Sequence, residues 1–170
     1  RDMPLPGWSM TKTLTNALCG LRNADGEFDP EGTPWAPAWQ ARDRRGRPDR
    51  RAGITNQHLL TMTAGLQWSE SYQDPTSACL QMLFASTDHA AAYAERAAAE
   101  PPGSRFQYAS GATNLLCRLL RQGFDEDEQY WALPSHLFAA LGMRTAVLET
   151  DPNGTFVGSS YGFASARDWA

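Results

Sequence analysis

Proline and glycine decide what this chain can become. Prolines at 30, 34, 37 and 48 all fall between residues 23 and 53. Each fixes φ and removes a backbone donor, so no long helix survives there. The turn signal Asn23-Ala24-Asp25-Gly26 opens this loop, and Trp35 and Trp39 are placed to pin it onto the body. Pro101-Pro102-Gly103 closes a helical run, Gly65 and Gly142 stop two others, and Pro134 sits inside one more. Between these breaks the apolar residues recur with helical period. The pattern predicts a helix over 9–22 and a second after Thr55 as N-cap. Further helices are predicted over 77–84, 90–99, 112–122 and 125–141, the last kinked or restarted at Pro134. Residues 66–75 read as an aromatic loop and 104–110 as a short extended piece. Asp151-Pro152-Asn153-Gly154 is the one strong hairpin signal, flanked by extended stretches over 145–149 and 155–157. Ser165-Ala166-Arg167-Asp168 resembles a capping box. The fold class that follows is mainly α with a short β-hairpin.

The chain has 170 residues, 42% hydrophobic and 20% charged, enough for one domain with its own core. It starts on Arg1, shows no basic-then-apolar leader, and ends in what reads as the first turn of another helix. Residues 1–170 are therefore expected to form a single partial domain of a longer protein. No run of eighteen apolar residues offers a membrane segment. A net charge of −4 argues against nucleic acid as a partner. The basic cluster from Arg42 to Arg51 is broken by Asp43 and Asp49 and carries no interleaved aromatics, so it reads as a solvated loop. Cys19, Cys79 and Cys117 are odd in number and lack any CxxC spacing or nearby histidine pair, so zinc is not expected. Cys19 and Cys117 fall in apolar helical runs, where a thiol acts as a small hydrophobe. The spacing leaves a single disulfide open.

Lys12 is the only lysine; the other fourteen basic residues are arginine. Arginine stays charged in proteins, whereas a lysine amine can be brought toward neutrality. On a helical wheel Ser9, Lys12, Thr13, Asn16 and Gly20 share one face, and Leu14, Ala17, Leu18 and Leu21 share the opposite one. Gly20 would let a neighbouring backbone approach the polar face. Ser9 and Lys12, at i and i+3, lie side by side. A serine at a helix N-terminus has an unpaired backbone N–H beside it and the positive end of the helix dipole. A lysine one turn on can take its proton and make it a nucleophile. The plain alternative is that Ser9 is an N-cap and Lys12 a surface residue. In the stretch Pro102 to Gly111, Tyr108 and Ser110 alternate in an extended segment and point the same way. Their plain alternatives are a half-buried strand aromatic and an N-cap.

Four stretches carry a resemblance: "GWSMTKTLTNALCGL", "ITNQHLLTMTAGLQW", "PPGSRFQYASGATNLLCRLL" and "GTFVGSSYGFASARDWA". In this order the chain resembles the serine hydrolases of the β-lactamase/DD-peptidase superfamily, on the side of class C β-lactamases, esterases and aminohexanoate-dimer hydrolases. The resemblance implies the helical lobe of that α/β fold. It implies that Ser9 is the acylated nucleophile and Lys12 its proton-accepting partner. Tyr108 matches the first position of a Tyr-x-Asn/Ser motif, as hydrogen-bond partner and general base or acid. Ser110 matches the third position, which orients substrate and Lys12. The loop with Trp68 and Tyr72 would line the substrate entrance, or else pack its aromatics onto the helical core. The family's third motif, Lys-Thr-Gly or a His-x-Gly variant, has no match here. Three catalytic side chains without a complete site are therefore expected.

The expected activity is acyl transfer through an acyl-serine, on an amide, ester or β-lactam bond of a small or peptide-like substrate, with neither metal nor cofactor. His58 and His136 read as helix-surface or packing residues and His89 as a loop or helix start. No GxSxG-type turn supports a Ser-His-Asp triad. Two other classes stay open: a non-catalytic, penicillin-recognising or regulatory protein of the same fold, and a helical interaction domain with no site. The resemblance is compatible with a periplasmic or membrane-anchored parent; oligomeric state has no signal in the sequence.

Overall fold

The structure, a computed structural model, describes residues 2–34, 36, 39 and 45–170. The expectation for Trp35 and the first part of the 42–51 cluster lie outside the described residues. Strand β1 (Leu5–Pro6) leads through a 3-10 turn at Trp8–Met10 into helix α1 (Thr11–Ala24). Helices α2 (Asn56–Leu60), α3 (Ala78–Ala85), α4 (His89–Ala94), α5 (Ser110–Gln122) and α6 (Asp127–Leu141) follow, then β2 (Val147–Leu148), β3 (Gly162–Ala164) and α7 (Ala166–Trp169). The fold class is as expected: helices dominate, with a three-stranded antiparallel sheet in the order β1-β3-β2.

Helix α5 is the centre of the core. Its stripe Leu115, Leu116 and Leu120 is buried, as are Ala112 and Asn114. It packs on α1 through Leu14, Leu18 and Cys19, on α2 through Leu59, and on α4 through Ala90 and Tyr93. The α4 contact is close because Gly111 has no side chain. A Cβ there would lie 2.4 Å from the Tyr93 ring. Tyr130 of α6 is fully buried and bridges two elements. Its hydroxyl donates to the Cys117 carbonyl (3.1 Å) and accepts from the Phe156 N–H (3.0 Å). All three cysteines are free and buried.

Several elements differ from the sequence reading. The buried face of α1 is rotated: Thr11 and Thr15 are buried, while Leu21 is exposed. The two threonine hydroxyls make this affordable, donating to the Gly158 carbonyl (Thr15, 3.1 Å) and accepting from the Gly162 N–H (Thr11, 3.0 Å). Nothing approaches Gly20 within 4 Å, so the expected close backbone contact is absent. Helix α4 stops at Ala94 because residues 97–99 bond back to 65–67 instead, through Gln67 N–H to Ala97 O and Ala99 N–H to Gly65 O; tertiary pairing overrides alanine's helix propensity. Helix α2 ends at Leu60, before Gly65, with Met62 in the left-handed region at φ 55°. Helix α6 runs through Pro134 as one element and is capped by Gly142 at φ 71°.

The Asp151–Gly154 turn does form. The Asp151 carboxylate accepts from Asn153 and Thr155 N–H, and Thr150 bridges Phe156. The expected hairpin stops there: residues 155–157 form no strand, and the partner of β2 is β3. The chain turns at 157–161, with the N–H groups of Ser160 and Tyr161 both bonding to Val157 O, and returns along β2 one segment later. Ser165 caps α7 by accepting from Asp168 N–H, but the Asp168 carboxylate binds Thr145 rather than closing a capping box. Trp39 pins its loop as expected, donating to Ala94 O at 2.7 Å. Arg51 is not a solvated residue: it pairs with Asp49 and donates to the carbonyls of Ala94 and Arg96.

Tyr130→Phe keeps the ring, strands the buried Phe156 N–H and removes the second donor on the Cys117 carbonyl. The expected loss is about 1–3 kcal/mol of unfolding free energy, read from the urea midpoint at unchanged slope.

Candidate active site

Ser9 sits in the 3-10 turn that joins β1 to α1. The residue before it, Trp8, holds φ at 45°, a conformation a bulky side chain seldom adopts. Such strain persists where the surroundings enforce it. Here the enforcement is visible: Gly7 N–H donates to Gly162 O at 2.7 Å, fixing the chain to β3 just before the turn. Ser9 is exposed at the start of the helical run, where backbone N–H groups have no carbonyl one turn back.

Lys12 points its amine into a ring of oxygens. Nζ lies 3.1 Å from Ser9 Oγ, 3.1 Å from Ser110 Oγ and 2.9 Å from the Ser159 carbonyl. These come from the turn before α1, the first turn of α5, and the 157–161 turn. The structure therefore brings Ser9, Lys12 and Ser110 together, across a sequence separation of 98 residues for the Lys12–Ser110 pair. Lys12 also lies over the Tyr108 ring, 4.9 Å from its centroid. Tyr108 thus meets Lys12 with its face; its hydroxyl makes no hydrogen bond to Ser9 or Lys12 among the described residues. Ser110 is neither an extended residue nor an N-cap. It is the first residue of α5, with Ala109 as N-cap, and it is buried.

Sequence reasoning missed two members of this group. One is the Ser159 carbonyl, a backbone atom. Its placement comes from Asn114, fully buried on α5, whose amide oxygen accepts from Ser159 N–H at 3.0 Å. The other is Glu70. Its carboxylate accepts from Ser110 N–H (3.0 Å), the Ser110 hydroxyl, the Trp68 indole N–H, the Tyr72 hydroxyl (2.9 Å) and the Cys79 thiol (3.4 Å). Burial alone would push the Glu70 carboxyl up, but the bonds from Ser110, Trp68 and Tyr72 together hold it below the usual range, so it is an anion. Its pattern in sequence, one acid among Ser69 to Tyr72, carries no spacing signal; only the adjacent Trp68 and Tyr72 hinted at a structured loop.

The two loop aromatics part ways. Trp68 is buried, edge-on to Tyr93 with centroids 5.2 Å apart, so its body belongs to the core. Tyr72 is 60% exposed and offers a surface. Burial first, and then its bond to Glu70, push the Tyr72 phenol up to about 12, while Ser9 works in the opposite direction. Tyr72 is therefore a hydrogen-bond donor near neutral pH. A groove of about 270 Å³ opens beside Lys12 between α1, α2 and α5, lined by Asn16, Leu60, Met62 and Thr113 among others. A larger hollow of about 560 Å³, between α1, the end of α6 and α7, contains none of Ser9, Lys12 or Ser110. His58 serves its helix, accepting from Thr55 N–H at Nδ1, and His89 is the buried first residue of α4. No helix among the described residues is long and apolar enough to cross a membrane.

A family model described as Beta-lactamase matches residues 1–169. The chain belongs to the beta-lactamase family. Solved structures place this family member in the same fold. The penicillin binding protein from Bacillus halodurans aligns with a TM-score of 0.70 at 15% identity, over 98% of this chain and 58% of that one. A D-stereospecific amidohydrolase from Streptomyces sp. gives 0.68 at 17% identity, over 98% and 58%. EstA from Arthrobacter nitroguajacolicus Rue61a gives 0.61 at 18% identity, over 98% and 54%. No curated protein sequence matches the chain. This beta-lactamase family member spans a little over half the length of these structures, and what it contains is the helical lobe of the β-lactamase/DD-peptidase-like fold.

The Glu70 carboxylate predicts a pH-dependent stability. A carboxyl held low in the folded state stabilises fully above its ordinary value, about 4.3, and loses that contribution as pH falls through the lower folded value. Glu70→Gln is expected to be less stable than wild type by about 1 kcal/mol at pH 7, a figure reduced for partial solvent access. Urea denaturation at pH 7, 5 and 3.5 should show that gap closing at the acid end; a constant gap would count against an anionic Glu70.

Proposed function

We propose that this chain carries the acylating residues of a serine hydrolase that acts on an amide, ester or β-lactam bond. One observation carries the reading: the Lys12 amine stands 3.1 Å from Ser9 Oγ while Ser110 and the Ser159 carbonyl hold it in place. A base within hydrogen-bond reach of a hydroxyl, itself oriented by further groups, is the arrangement that nucleophilic catalysis needs. Family membership supports the same class of chemistry.

In this reading Ser9 Oγ attacks the substrate carbonyl carbon, and its proton passes to Lys12 Nζ. Backbone N–H groups at the start of the helical run help hold the developing oxyanion. The leaving group takes its proton through Tyr108, whose ring already rests on the Lys12 amine. Water then attacks the acyl-serine, and the proton path runs in reverse. Ser110 orients Lys12, and Tyr72, whose hydroxyl hydrogen is held by Glu70, presents its oxygen as an acceptor at the substrate entrance. Trp68 acts on the substrate side only by shaping that loop from beneath. No metal or cofactor enters the scheme. The substrate is a small or peptide-like molecule, and residues 1–170 act as one partial domain.

A fluorescent fluorophosphonate or penicillin probe tests this. Wild type is expected to be labelled, Ser9→Ala not at all, and Lys12→Met about 10²–10⁴-fold more slowly. Absence of labelling in wild type refutes the reading. Labelling without turnover of a chromogenic ester or nitrocefin supports the alternative, a protein that recognises penicillin-like acyl donors without hydrolysing them.

A further inference from the structure

The two N–H donors on Glu70 have a fixed direction, and this sets the direction of every hydroxyl next to them. Glu70 Oε2 accepts from Ser110 N–H and Trp68 Nε1–H, neither of which can reverse. Oε1 accepts from the Ser110 hydroxyl, the Tyr72 hydroxyl and the Cys79 thiol. An ionised carboxylate only accepts. The single hydroxyl hydrogen of Ser110 is therefore committed to Glu70, and toward Lys12 Ser110 can present only a lone pair. The Ser159 carbonyl likewise only accepts.

In the base form that the serine-hydrolase reading requires of Lys12, an amine has two N–H bonds and one lone pair. With Ser110 Oγ and Ser159 O both acceptors, the two N–H bonds are used on them. The lone pair is then left for the third neighbour, the Ser9 hydroxyl at 3.1 Å. We propose that Glu70 is a positioning residue: by fixing the hydrogen of Ser110, it aims the lone pair of Lys12 at Ser9. This rests on the serine-hydrolase reading above. In the acylation step the Ser9 O–H bond breaks, its proton forms an N–H bond on Lys12, and Oγ forms its bond to the substrate carbonyl carbon as the carbonyl π pair moves to oxygen. Glu70 gains and loses no proton.

Glutamine at position 70 has the same shape and reverses the outcome. Its oxygen must face the two fixed N–H donors, so its amide N–H₂ faces Ser110, Tyr72 and Cys79. The Ser110 hydroxyl then accepts from Gln and turns its own hydrogen toward Lys12, taking the lone pair that Ser9 needs.

The test is a double-mutant cycle on the full chain, read as the rate of Ser9 acylation by a fluorophosphonate at saturating and sub-saturating probe. Glu70→Gln is expected to slow acylation about 10²-fold or more with little change in apparent probe affinity. Ser110→Ala should cost a similar factor, and the double variant should be no slower than Ser110→Ala by more than about threefold, since the relay is already cut. A folded Glu70→Gln within about threefold of wild type, or effects that multiply in the double variant, overturns the proposal. Should Glu70→Gln fail to fold by circular dichroism, Ser110→Asn against Ser110→Ala decides. Asparagine offers an N–H to Glu70 and an oxygen to Lys12 and is expected to restore at least about a tenth of the wild-type rate; equal loss in both variants overturns it. Because Lys12 is the only lysine, selective ¹⁵N,¹³C-lysine labelling gives one side-chain signal. That signal should move in Glu70→Gln although Glu70 does not bond Lys12, whether or not any probe acylates Ser9. A signal that moves in Ser110→Ala and stays in Glu70→Gln overturns the relay alone; an unlabelled wild type with the signal moving overturns the hydrolase reading alone.

Discussion

One amine holds three parts of this chain in register. Lys12 Nζ meets oxygens from the turn before α1, from the first turn of α5 and from the 157–161 turn. That convergence is possible only because the scaffold behind it is rigid. Thr11 and Thr15, on the inner face of α1, bond Gly162 and Gly158, and Asn114 of α5 bonds Ser159. The turn that supplies the Ser159 carbonyl is thus clamped from both helices. Gly158 lets the clamp close: a Cβ there would come within 2.1 Å of Thr15 Oγ1 and 2.4 Å of Cys117 Sγ. The polar groups buried in this region are paired to one another, the condition under which such groups specify geometry instead of merely costing desolvation.

The sequence made one half of the site legible and hid the other. Ser9 and Lys12 lie one turn apart, so helical spacing alone brings them together, and the lone lysine drew attention to the pair. Tyr108 and Ser110 stand out by their alternation before a helix and take roles from a motif resemblance, but the extended geometry does not hold: Ser110 enters the site from the first turn of a helix and Tyr108 through its ring face. Glu70 stayed hidden because its importance is non-local. Five donors converge on it, and the two that come from Ser110 lie forty residues away. Ser159 stayed hidden because a carbonyl is present at every residue.

The fold divides in the same way. Proline and glycine placed the breaks, and Thr55, Ser77, Asp88 and Ser165 cap their helices by local chemistry that the sequence displays or permits. Where prediction and structure differ, a long-range partner decided the matter. The alanine run ends early because 97–99 pair with the aromatic loop. The hairpin after Val147 is replaced by pairing with Gly162–Ala164 because the 157–161 turn is held by α1 and α5. The polar inner face of α1 has the same origin: the threonines that a wheel assigns no role are the residues that hold the turn.

Two tyrosines flank the Ser9–Lys12 pair, and their surroundings separate what each can do. Tyr72 donates to an anionic carboxylate, and burial together with that carboxylate pushes its phenol up to about 12. A hydroxyl so committed can accept a hydrogen bond on its oxygen but does not give up its proton near neutral pH. Tyr108 has no such commitment: it touches Lys12 through its ring and keeps its hydroxyl clear of Glu70 among the described contacts. If one phenol carries a proton from the amine to a leaving group and back, it has to be the one whose hydroxyl can both accept and release it. The network around Glu70 therefore does more than orient one serine. It fixes Tyr72 and Ser110 as donors toward the carboxylate, and in the proposed reaction this leaves the proton path beside Ser9 to Lys12 and Tyr108.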